Sequence, residues 1–140
     1  MSTVLWANLL VSGEVKSDES DHAALYKHAD KLDAIALSLA LTSFHALCDT
    51  TDLRFNTTDM ELPEGIESTH QVMATDGAWM ERAAAIELLE ALLRHIVEKK
   101  VRFGLLSNQH AEVVEELTEV LAFARAAPAE ATRFNFSVVM

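Results

Sequence analysis

The sequence predicts an α+β domain, with about four helices packed on a small sheet formed by its N- and C-terminal strands. Three observations carry this reading. Residues 3–11 are β-branched and apolar and stop at the turn pair Ser12-Gly13. Residues 132–139 alternate with period two, and between these two ends lie long stretches with apolar residues at helical spacing. A length of 140 residues fits a single domain over the whole chain. Half the residues are hydrophobic, and with only 4 Gly and 2 Pro the composition is that of a chain that buries its own core.

The first strand, residues 3–11, does not alternate cleanly through Trp6, Ala7, Asn8, Leu9 and Leu10, so it should be covered on both faces. Glu14, Val15 and Lys16 extend it into a hairpin. Ser17 or Ser20 then caps a helix over about 21–40, with Leu25, Ala29, Leu32, Ile35, Ala36 and Leu39 on its apolar stripe. A short helix follows at 42–47. Residues 49–76 read mostly as loop, with one extended piece at Leu53-Arg54-Phe55. The near-repeat of Asp49-Thr50-Thr51-Asp52 in Asn56-Thr57-Thr58-Asp59 suggests two turns in which side chains hold backbone amides. Asp76 and Gly77 start a long helix at 78–100, ended by its basic residues and Gly104. On this helix Glu90 and Arg94 have the spacing of an exposed ion pair. Ser107 starts the last helix, 108–127, which Pro128 stops before the final strand.

Charge narrows the function classes. The net charge of −11 repels phosphate backbones and anionic lipid surfaces, so neither nucleic acid nor membrane is expected as a partner. Lys99-Lys100 and Arg102 sit where they complement a helix dipole. Cys48 is the one cysteine, so no internal disulfide forms. No run approaches a membrane span and the start has no basic n-region, which together lead to the expectation of a cytoplasmic protein.

Chemistry has few footholds. Phosphate-cradling glycine motifs and the nucleophile elbow are missing. His45 lies three residues before Cys48, a spacing that could set an imidazole beside a thiol, and these two are the candidate catalytic residues. No third residue to orient them can be named, and an inert buried thiol is the simpler reading. His22 and Asp18 are four apart, a chelating spacing only if the helix already includes Asp18, and no metal or other cofactor is expected. The segment 49–76 holds seven acidic residues against one Arg. Asp49, Asp52, Asp59, Glu61 and Glu64 are its candidate binding residues, without the spacing of a calcium loop. The expectation is therefore a small acidic interaction protein without catalytic activity that meets a basic protein. The alternatives are a small-molecule enzyme or binder using that segment with His45 and Cys48, and a homodimer paired through the edges of the terminal strands.

Overall fold

The computed structural model describes residues 2–58 and 60–140. Among these residues the chain forms five strands and six helices, five of the helices with seven or more residues. In chain order they are β1 (Val4–Val11), β2 (Glu14–Ser17), α1 (Ala23–Lys27), α2 (Ala29–Ser38), β3 (Cys48–Asp49) and α3 (Thr51–Thr57). Then come α4 (Thr69–Asp76), β4 (Met80–Glu81), α5 (Arg82–Lys99), α6 (His110–Ala126) and β5 (Ala131–Val139). The α+β class is as the sequence predicts.

The two ends of the chain pair along their length, from Val4 opposite Val139 to Val11 opposite Ala131, antiparallel. Ser12 (φ 51°) and Gly13 (φ 82°) close the β1–β2 hairpin with the two positive φ values that a tight hairpin turn requires. On the other side of β5, β3 joins in parallel and β4 antiparallel, end to end along the same edge. The terminal strands are therefore the two central ones, and neither offers a free edge.

Alternation divides the sheet into two unlike faces. Leu5, Ala7 and Leu9 stand opposite Val138, Phe136 and Phe134 on the front, all buried. There they join the buried residues of α1, α2, α5 and α6 in one core. Each fully buried Leu or Phe contributes about 1.5–3 kcal/mol. The reverse face is polar, with Asn8 opposite Asn135 and Ser137 beside them, also buried. Asn135 Nδ2 donates to the Ala78 carbonyl at 2.8 Å, leaving its oxygen free to accept from Asn8 Nδ2 at 2.9 Å. Turning the Asn8 amide over would set two oxygens 2.9 Å apart, so this orientation is the physical one.

Several expected boundaries move. The helix expected over 21–40 is kinked at His28, although backbone bonds from His28 to Ala24 and from Leu32 to His28 run through the kink. No serine caps it. Asp18 orders the approach instead, accepting from the amides of Ala7 and Ser20. The short helix expected at 42–47 is a 3₁₀ helix over Phe44–Leu47. The segment 49–76 is not mostly loop: it holds α3 and α4, and Leu53, Arg54 and Phe55 are helical, so about four helices become six. Asp76 ends α4, and α5 starts only at Arg82, because residues 80–81 pair with β5. Lys100, in the left-handed region at φ 49°, ends α5, with the Val101 amide reaching back to Ile96. Glu90 pairs with Arg125 of α6 and not with Arg94.

Two charged side chains lock the helix layer. The Arg82 guanidinium donates to the carbonyls of Ala124, Arg125, Ala127, Pro128 and Ala131, capping the end of α6 where orphan carbonyls gather. Glu116 of α6 accepts from the amides of Ala24 (3.2 Å) and Leu25 (3.0 Å) at the start of α1. Burial pushes the Glu116 carboxyl above its ordinary value, against the pull of those two amides. The folded chain thus holds a proton there that the unfolded chain has released, just above the ordinary Glu pKa. This contribution is present below that window and is lost as pH rises through it. Glu116→Gln should flatten that part of the pH dependence. Glu116→Ala, which orphans two amides, should cost about 1–2 kcal/mol in urea unfolding at neutral pH.

Candidate functional site

The acidic segment is held by the carboxylates that the sequence marks for binding. Asp49 ends β3 beside Ser137 and is 4 % exposed. Its Oδ2 accepts from the Thr51 amide at 2.9 Å, and its Oδ1 from the Thr51 hydroxyl (3.2 Å) and the Ala78 amide (2.9 Å). One carboxylate therefore starts α3 and anchors the return of the chain after α4. Gly77 is required beside it: a Cβ there would lie 2.5 Å from the Met73 carbonyl oxygen and 3.0 Å from Asp49 Oδ1. Asp52 accepts from Asn56 Nδ2 at 2.9 Å and from the Thr69 hydroxyl at 2.8 Å, tying α3 to α4. Both acids thus have internal partners. Asp59 lies outside the described residues.

Glu61, Glu64 and the neighbouring Glu67 are exposed, and their carboxylates have no hydrogen-bond or ion-pair partner among the described residues. Glu64 and Glu67 flank Ile66, which lines a groove of about 480 Å³ between the β1–β2 turn and α4. Val15, Ile66 and Ala74 supply its apolar wall, and Glu14, His70, Gln71 and Thr75 its polar one. Glu14 has an exposed partner in Lys16 at 3.5 Å, a pair worth little in water. Sequence reasoning missed Glu14, because only the packing of α4 on β2 brings it to the groove beside the acidic segment.

His45 and Cys48 line a second groove, about 690 Å³, with Tyr26, Lys27, Asp30 and Thr50 around them and Leu5, Ala29 and Val138 below. His45 Nε2 lies 3.0 Å from Asp30 Oδ1. Asp33 accepts from the Ser43 hydroxyl and the His45 amide, and the Ser43 bond chiefly holds its carboxyl below the ordinary value. The Cys48 thiol faces the Phe44 carbonyl oxygen at 3.9 Å. Burial, with the charges of Asp33 and Asp49 behind it, pushes this thiol up to about 12. An activated nucleophile needs the opposite environment.

Three other histidines have structural partners. The buried His22 meets Asp18 at 2.7 Å, His28 meets Gln109 at 2.8 Å, and His110 Nδ1 donates to the Val101 carbonyl at 2.7 Å. Among the described residues no group of three or more His, Cys, Asp or Glu could hold a metal ion. No helix among them is long and apolar enough to cross a membrane. No family model, curated protein or solved structure matches the chain.

Asp49→Ala should cost about 3 kcal/mol in urea unfolding, since it removes a buried carboxylate and orphans the Thr51 and Ala78 amides. Iodoacetamide should modify Cys48 at a rate that climbs with pH without levelling off near the ordinary thiol pKa of about 8.5. A plateau there would mark a thiolate that this environment does not produce.

Proposed function

We propose that the protein is a small acidic docking module without catalytic activity, and that a basic protein surface seats in the groove between the β1–β2 turn and α4. The observation that carries this reading is the division of labour among the acids. Asp49 and Asp52 face inward to hold the segment, while Glu14 stands at the edge of the groove and the exposed Glu64 and Glu67 lie on the turn that carries its apolar Ile66. Solvent-exposed carboxylates, of which only Glu14 has a weak partner in Lys16, next to such a wall favour a cationic side chain with an apolar neighbour. The raised Cys48 thiol weighs against nucleophilic chemistry in the other groove. A second reading places a small molecule there; its support is the groove's volume, with Lys27, His45 and Tyr26 converging above an apolar floor.

An oligolysine peptide at low salt is a sufficient probe. Reversing Glu14, Glu64 and Glu67 to Lys should weaken its binding by roughly tenfold or more, read by calorimetry. The same change of charge at the exposed Glu112, Glu115 and Glu119 of α6 should weaken it far less. Equal losses from the two triples would reduce the effect to net charge and remove the docking site.

A further inference from the structure

The loop between α5 and α6 carries the two most exposed large apolar side chains among the described residues. Leu105 is 95 % exposed and Leu106 102 %, next to the fully buried Phe103. The loop that displays them is tightly tied. Arg102 donates from Nε to the Gly104 carbonyl (2.9 Å) and from its fork to that of Leu105 (3.0 Å). Asn108 Oδ1 accepts from the amides of Phe103 and His110, and the Gln109 amide donates to the Phe103 carbonyl at 2.7 Å. Gly104, at φ 105°, has no room for a side chain, since a Cβ would lie 2.4 Å from the Ser107 carbonyl oxygen. Two leucines are thus held rigidly in water, so covering them costs little ordering entropy.

Their surroundings are the reverse of the rest of the chain. Residues 99–109 hold three cations, Lys99, Lys100 and Arg102, and no acid, within a protein of net charge −11. The occupant that fits is an apolar groove with an acidic rim. The groove between the β1–β2 turn and α4 has both features, with Val15, Ile66 and Ala74 in its wall, Glu14 at its edge, and the exposed Glu64 and Glu67 on the turn that carries Ile66, the Glu67 amide bonded to the lining Gln71. The two surfaces lie at opposite ends of the molecule. The leucine loop precedes the start of α6, while the hairpin lies near its far end, where Phe123 and Ala126 meet Val11 and Lys16. The 17 residues of α6 separate them by about 25 Å. One molecule cannot satisfy itself.

We infer that the Leu105–Leu106 loop of one copy docks in the acidic groove of a second copy, head to tail. This rests on the docking reading above and names its partner as the chain itself. Such an interface is heterologous, so it propagates until a ring closes or a filament forms.

Sedimentation analysis of the full chain tests it. The wild type should show masses of at least twice 15.4 kDa that grow with concentration. Leu105→Asp with Leu106→Asp destroys the loop and Glu64→Lys with Glu67→Lys destroys the groove, and each variant alone should be monomeric. Mixed together they should form a 1:1 complex and nothing larger, because one intact loop then meets one intact groove. All four positions are exposed, and unchanged unfolding curves will show that the variants fold. A wild type that stays monomeric overturns the inference, as do assemblies that survive loss of the leucines or a mixture that does not associate. Binding of a monomeric wild type to phosphatidylserine vesicles through the leucines would assign the loop to a lipid surface and also overturn it. If the wild type is monomeric while the Glu14, Glu64 and Glu67 reversals still weaken oligolysine binding, self-docking fails and the docking site stands. Loss of both results removes the site itself.

Discussion

Everything in this fold depends on pairing the first strand with the last. The β1–β5 ladder joins residues more than a hundred positions apart, so its loop-closure entropy is large and must be recovered by burial on both faces. The front recovers it with apolar contact, where Phe134 and Phe136 pack edge to face, ring centroids 5.2 Å apart. The reverse recovers it with hydrogen bonds, since Asn8, Asn135 and Ser137 cannot be buried without partners. That need explains the cover of α3 and α4. The Ala78 segment supplies the carbonyl that Asn135 requires, and Asp49 holds that segment by its amide.

The same economy separates structural acids from available ones. A buried carboxylate is stable only when it accepts several hydrogen bonds, and Asp49 accepts three. Glu61, Glu64 and Glu67 lie farther along the chain, where the backbone has left the sheet, and water is their partner. The acidic segment is thus a cover tied down at its ends, with an exposed charged middle. The chain's charge becomes directional as a result, acidic beside α4 and basic at the loop between α5 and α6.

The legibility of these features follows the range of the interactions behind them. Apolar periodicity located the front-face helices, and on α6 five of the six apolar residues at helical spacing, Val113, Leu117, Val120, Leu121 and Ala124, are buried, with Val114 half-buried. On α5 Ala85, Leu88, Leu89, Leu92 and Ile96 are buried, whereas the apolar Val97 is exposed. The polar helices α3 and α4 were read as loop because neither has an apolar stripe to betray it. They form because Asp49 accepts from Thr51 and Ala78, and Asp52 accepts from Thr69, across the segment. Asp49 and Asp52 drew attention as acids, but their direction, inward, depends on contacts with residues 69 and 78 that no local pattern encodes.

By itself, the amino-acid order determined the α+β class, the terminal strands, the hairpin at Ser12-Gly13, the positions of the long helices and the excess of acid in residues 49–76, because all of these follow from local propensity and periodicity. Only the tertiary structure decided that the terminal strands are central, that the reverse face of the sheet is polar, that Asp49 and Asp52 are internal ties, and that Glu14 of the hairpin and Ile66 of the acidic segment line one groove. It also decided that Leu105 and Leu106 stand in water at the opposite end. These facts depend on which distant groups satisfy each buried donor and acceptor, and that pairing exists only once the two ends of the chain have met.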